Sequence, residues 1–197
     1  MAAKSSSGTM PAKSLAKKAP AKTTAKPTVK AAPKPAAAPP KTDAGLQAGD
    51  AAPAFKLAGA GGEKLSLAGF KGKKLVLYFY PKDDTSGCTK EAIEFNDLRS
   101  AFAKADTVVV GMSPDSVKSH DKFREKYGLT FPLAADEDKA TLLAYGVWVE
   151  KSMYGRKYMG VERSTFLIDA KGRIAQVWRK VKVPGHAEEV LATARAL

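Results

Sequence analysis

Large apolar side chains are scarce over the first 45 residues and frequent thereafter. Only Met1, Met10, Leu15 and Val29 interrupt an Ala/Lys/Pro-rich beginning, in which Ala16-Lys17-Lys18-Ala19-Pro20-Ala21-Lys22 is typical. Repeated prolines remove backbone donors and break helices. So few apolar groups cannot offset the entropy of ordering, so residues 1–45 are expected to be a disordered tail and residues 46–197 one folded domain. Within that domain, Lys56-Leu57 and Lys64-Leu65-Ser66-Leu67 suggest a short hairpin, and Lys74 to Tyr80 is a nearly continuous apolar run, as in a central strand buried on both faces. Ala92, Phe95, Leu98 and Phe102 recur at helical spacing, which predicts a helix over 88–104.

Thr107 to Met112 suggests a second buried strand, and Ser113-Pro114-Asp115 offers capping chemistry for a helix through Tyr127, with Gly128 to end it. A short strand near Phe131-Pro132-Leu133 and a helix over 139–145 follow. Ser164 to Asp169 and Ile174 to Val181 flank the turn Ala170-Lys171-Gly172 as a hairpin, and His186 to Ala196 has the pattern of a closing helix. Alternating strands and helices predict an α/β layered domain.

Charge follows the same division. The tail carries nine lysines, no arginine and one aspartate, so it holds +8 of the chain's formal +13. Such a tail either solubilises the domain or binds an anionic polymer weakly through counterion release, and a nucleic-acid-associated role through it is an alternative to enzymatic function. No stretch is long and apolar enough to span a membrane, and the beginning lacks the apolar core of a secretory signal. The expected location is the cytoplasm, with a nuclear or nucleoid association suggested by the tail.

One cysteine, Cys88, excludes an internal disulfide and a cysteine-based zinc cage. Lone cysteines are commonly inert and buried. Cys88, however, comes where an apolar strand stops at Pro81, a polar loop follows and a helix begins. The free N–H groups and dipole of a helix N-terminus favour a thiolate. Thr85, three residues earlier, either turns its hydroxyl toward the sulfur or caps the helix. Gly87 permits close backbone approach. Glu91 either supports the site or meets the helix dipole in a first turn. Arg163, at the start of the apolar strand Ser164-Thr165-Phe166-Leu167-Ile168, is either a permanent cation for the site or a solvated strand-end charge. His120 and His186 lack companions at metal-ligand spacing, so each is expected to be structural or solvated and no metal is expected. Asp83 and Asp84 are expected to form a solvated loop.

Tyr78-Phe79-Tyr80-Pro81-Lys82-Asp83-Asp84-Thr85-Ser86-Gly87-Cys88-Thr89-Lys90-Glu91-Ala92 resembles the active-site segment of peroxiredoxins, most of all the bacterioferritin comigratory protein or peroxiredoxin Q subfamily. Gly146-Val147-Trp148 and Lys151-Ser152-Met153-Tyr154-Gly155-Arg156 are similar to a second subfamily block, and Glu162 to Asp169 looks like the strand carrying the family arginine. The resemblance spans about 46–197. It implies a thioredoxin-like fold, with a central mixed sheet flanked by helices, and thiol-dependent reduction of hydrogen peroxide and organic hydroperoxides without a cofactor. Cys88 would be the peroxidatic nucleophile, Thr85 would hold sulfur and peroxide, Arg163 would stabilise charge, Pro81 would shield the pocket, and Gly87 and Glu91 would support it.

Two positions depart from the pattern. Ser86 stands where proline is common, and Ile93 stands where many members place a resolving cysteine. With no second thiol in the chain, an external one is implied: thioredoxin, glutaredoxin or glutathione. A disulfide between two Cys88 residues, or a redox sensor passing oxidation to a partner through Cys88, are the remaining routes.

Overall fold

A computed structural model describes residues 45–153 and 155–197. The expected disordered segment, and with it most of the proposed domain boundary, lies outside that range.

The central apolar run forms β3 (Lys74–Phe79), and its alternation explains the layers. Successive strand side chains point to opposite faces. Val76, Tyr78 and Tyr80 enter one core with Cys88, Ala92, Phe95, Phe102 and Val190. Leu75, Leu77 and Phe79 enter another with Val110, Met112, Leu142, Tyr145 and Phe166. Burying one such Leu, Val or Phe side chain contributes roughly 1.5–3 kcal/mol, so a strand buried on both faces is a strong organising element.

Around β3 the chain forms β1 (Lys56–Gly59), β2 (Lys64–Ser66), β4 (Thr107–Ser113), β5 (Leu133–Ala135), β6 (Trp148–Met153), β7 (Arg156–Val161), β8 (Ser164–Ile168) and β9 (Ile174–Trp178). Seven strands form one sheet in the order β2-β1-β5-β4-β3-β8-β9, while β6 and β7 pair separately. β3–β4 and β4–β5 are parallel; the pairs with β8, β9 and β1 are antiparallel. The helices are α1 (Ser86–Asp97), α2 (Arg99–Lys104), α3 (Val117–Tyr127), α4 (Ala140–Ala144) and α5 (His186–Ala196). This is the mixed α/β, thioredoxin-like arrangement expected from the sequence.

Register sets the site. β3 and β8 run antiparallel with Phe79 opposite Ser164, so the end of β3, where Pro81 follows, lies beside the start of β8, where Arg163 precedes. Parallel pairing of Phe79 with Met112 brings the loop after β4, which carries Asp115, to the same edge.

Several elements differ from the sequence expectation. The helix expected over 88–104 is two helices, broken at Leu98, whose φ of −87° and ψ of 0° serve as the end of α1 and the start of α2. The strand near Phe131 begins only at Leu133, after Pro132, which has no N–H to give a ladder. β9 stops at Trp178 rather than Val181, and Val181 N–H bonds instead to Arg163 O at 3.0 Å. The β6–β7 hairpin was not anticipated. Arg156, Lys157, Tyr158 and Met159 are all exposed, so β7 lacks the alternation by which a half-buried strand is recognised.

Candidate active site

Cys88 is only 2% exposed and belongs to the core beneath α1. It is the third residue of that helix rather than its opening residue; Thr85 occupies the N-cap with extended backbone angles. The first helical bond runs from Thr89 N–H to Thr85 O at 2.8 Å. Residues within the first turn keep N–H groups with no partner inside the helix, so the sulfur sits at the positive end of the dipole.

Arg163 reaches the same point from another part of the chain. Its Nη2 lies 3.2 Å from Cys88 Sγ, and its Nη1 pairs with the carboxylate of Glu91. Gly87 lies beside this contact, and a Cβ there would stand 3.4 Å from Arg163 Nη2, an ordinary packing distance, so the approach does not itself demand glycine. Burial opposes the charge on Arg163, but Glu91 and Cys88 together outweigh it and strengthen proton binding to the guanidinium. The solvated strand-end reading of Arg163 therefore does not describe this residue.

Glu91 corrects a second expectation. It does not fall in a first turn against the dipole; it lies further along α1, 1% exposed, and orients Arg163. Its Oε1 is buried without a hydrogen-bond partner among the described residues. Burial pushes its carboxyl up to about 7, more than Arg163 offsets. A raised folded-state value means that the folded protein keeps a proton which the unfolded chain gives up near pH 4.5. Stability is therefore greatest below that pH and falls as pH rises through about 7. Urea unfolding between pH 4.5 and 8 is expected to show this decline, and Glu91→Gln to flatten it by roughly 3 kcal/mol. Identical slopes for the two proteins would contradict the assignment.

Pro81 is half-buried in the loop just after β3. Thr85 departs from both of its sequence readings. Its side chain makes no capping bond, and its hydroxyl donates to Lys82 O at 3.1 Å. A hydroxyl oxygen keeps acceptor capacity when its hydrogen is so placed.

The aspartates after Lys82 separate in fate. Asp84 is exposed, with φ +57°, and accepts from Lys126 Nζ and Tyr127 Oη. Asp83 is not solvated: it is 6% exposed and accepts from Tyr80 Oη, Ser119 Oγ and His120 Nδ1. The hydrophobic pattern gives no sign of this, since Ser119 and His120 come from α3, 36 and 37 residues away. Both histidines are structural in the sense expected: each is buried and hydrogen-bonded, His120 in that cluster and His186 through Thr165 Oγ1.

Ile93 lies on the face of α1 turned away from Cys88, 38% exposed in an open groove of about 710 Å³ with Thr89, Lys90, Lys126 and Tyr127. Among the described residues no cluster of metal-ligating side chains occurs, and no helix is long and apolar enough to cross a membrane.

A mixed sheet with a cysteine near the helix start after its central strand, and an arginine from just before the neighbouring strand against the sulfur, is the arrangement that the sequence resemblance to peroxiredoxins implies. The AhpC/TSA family model matches residues 48–177, and the chain belongs to that family. A putative peroxiredoxin bcp of Coxiella burnetii is 54% identical over 146 residues, covering 74% of this chain and 97% of its own length. Peroxiredoxin Bcp of Bacillus subtilis is 49% identical over 148 residues, covering 75% and 94%. The solved bacterioferritin comigratory protein of Xanthomonas campestris, studied for alkyl peroxide reduction with trapped intermediate and ligand complexes, superposes with a TM-score of 0.70 at 49% identity, covering 72% of this chain and 90% of its own. These similarities place the chain in the Bcp/peroxiredoxin Q subfamily, and it is a thiol-dependent peroxidase.

Proposed function

We propose that Cys88 is the peroxidatic residue and that the cycle closes only with an external thiol. The observation that carries this is the approach of Arg163 Nη2 to within 3.2 Å of a buried sulfur at a helix N-terminus. The thiolate attacks one peroxide oxygen; an S–O bond forms as the O–O bond breaks, and water or an alcohol leaves with a proton. Arg163 donates to the charge that develops on the breaking bond, aided by backbone N–H groups around Gly87 and Cys88. Glu91 holds Arg163 in register. Thr85 Oγ1 accepts from the peroxide while its own hydrogen rests on Lys82 O. Pro81 restricts entry to slim substrates, which hydrogen peroxide and alkyl hydroperoxides both are.

The product is a sulfenic acid with no partner in its own chain. One external thiol displaces water from sulfur to give a mixed disulfide, and a second releases Cys88. Thioredoxin, glutaredoxin and glutathione all supply this chemistry, and the cytoplasm keeps such thiols reduced. Steady-state consumption of hydrogen peroxide and of an unbranched alkyl hydroperoxide, with each of the three donors in turn, tests the scheme. Turnover is expected with at least one thiol donor and none without; failure with every donor would overturn it.

The +8 of residues 1–45 favours a second role beside the first, in which a separate basic tail tethers the domain of residues 46–197 to nucleic acid. Duplex DNA binding by the full chain should weaken steeply with added salt and vanish on removal of residues 1–45, with peroxidase activity retained. Unchanged binding after removal would eliminate the tail's part.

A further inference from the structure

The loop that delivers Cys88 is fastened by a buried polar cluster with no part in the chemistry above. Asp83 is its centre. Its Oδ1 accepts from Tyr80 Oη at 2.7 Å, and its Oδ2 accepts from Ser119 Oγ at 2.7 Å and His120 Nδ1 at 2.9 Å. Its own N–H donates to Asp115 Oδ2 at 2.8 Å, in the turn after β4. His120 is completely buried, and its Nε2 lies 3.2 Å from Ala134 O. A carboxylate and a carbonyl only accept, so the His120 ring stands between two acceptors, Asp83 Oδ2 and Ala134 O. Burial works against the Asp83 carboxylate, yet the bonds from His120, Ser119 and Tyr80 hold it below the usual carboxylate range.

A buried charged contact is a poor way to gain stability. Desolvation cancels much of its attraction, and apolar residues of equal volume do as well or better. Its advantage is directional, since charge-assisted bonds fix the position of both partners. Here the fixed object is the short loop between β3 and α1. Asp83 lies two residues after Pro81, two before the N-cap Thr85 and five before Cys88. Three side-chain bonds and one backbone bond tie that point to the residue just after β3, to α3 and to the turn before α3. Tyr80, the donor that follows β3, also stacks on Tyr78 at 5.5 Å, and Tyr78 stacks at 4.8 Å on Phe95 of α1, in the same core as Cys88. The cluster thus holds the loop from one side and touches the packing of α1 from the other.

We infer that the buried Asp83–His120 pair is a positioning device for the peroxide step, holding Pro81, Thr85 and the start of α1 where the Cys88 sulfur meets Arg163. Neither residue touches the reacting atoms. The inference rests on Cys88 being peroxidatic and adds a condition on how its loop is held.

The full-length protein tests it. The second-order constant for oxidation by hydrogen peroxide is followed by stopped-flow tryptophan fluorescence, and the reduction of preformed sulfenic acid by dithiothreitol is measured separately. Asp83→Asn and His120→Gln are each expected to slow oxidation about tenfold or more, since small misplacements of reacting groups cost up to about 10²-fold. The double variant should be little slower than either single one, because both remove the same pair. Reduction of the sulfenic acid should change by less than about twofold, a split that a general loss of folded protein would not produce.

Ser119→Ala removes one bond from Asp83 with little change in volume and keeps the test open if the charge-altering variants fold poorly; it is expected to slow oxidation about threefold. Ile174→Ala, a core truncation at the opposite end of the strands from the site, is the destabilising control and should leave both rates unchanged. Oxidation rates in all the cluster variants within about twofold of the wild type, or equal losses in both steps, would overturn the inference. Failure of the peroxidatic reading is distinguishable, because the wild type itself would then not be oxidised.

Discussion

Replacing Cys88 with serine is expected to abolish peroxide consumption and to leave the folded structure in place. The two side chains are close in size, and the site is a packed core position 2% exposed, so the substitution is tolerated sterically. A serine hydroxyl at neutral pH offers no anion comparable to a thiolate, and no neighbouring base is arranged to activate it. The same experiment examines the other half of the cycle. Wild-type protein treated with one equivalent of hydrogen peroxide in the absence of thiols should gain a single oxygen atom by intact mass, then lose it on adding a thiol donor. The serine variant should show neither change. A wild-type chain that runs to a covalent dimer as its main product would show that two Cys88 residues resolve each other; residual turnover in the variant would remove Cys88 from the mechanism.

Arg163→Ala is expected to slow oxidation of Cys88 by about 10²–10³-fold, the range seen when a preorganised donor to a developing charge is removed. The guanidinium acts on two atoms at once, Cys88 Sγ through Nη2 and Glu91 through Nη1. Its loss therefore also leaves a carboxyl group buried without its partner, and Glu91 then holds its proton more firmly. Arg163→Lys keeps the charge but supplies one compact ammonium in place of a planar fork, and should recover only part of the rate. Arg163→Ala combined with Glu91→Gln separates the terms: stability returns toward the wild type while the rate stays low. Rates within about threefold of the wild type in Arg163→Ala would show that the contact with sulfur has no catalytic weight.

The parts of this site that lie close together in the chain were legible in the sequence. An apolar strand, a proline, a polar loop and a helix start form a continuous stretch, and its local signals place Cys88 within two residues of where it is found. Arg163 could be nominated for its place at the head of a buried strand, but its partner could not be. Glu91 looked like a first-turn carboxylate because the start of α1 was set at Cys88; in fact the helix begins at Ser86, and Glu91, three residues after Cys88 and four before Phe95, shares their buried face. Asp83 failed for a different reason. Its sequence surroundings are polar on both sides, and only tertiary packing brings Tyr80, Ser119 and His120 around it. The β6–β7 ribbon escaped because a two-stranded element with mostly exposed side chains leaves no apolar period to detect.

The contact between Cys88 and Arg163 joins positions 75 residues apart in the chain. During synthesis the thiol therefore emerges well before its cation. On the proposed peroxidatic role of Cys88, its oxidation is expected to be slow in a nascent or unfolded chain and to quicken only once β8 has closed onto β3, which would make the reaction itself a reporter of folding.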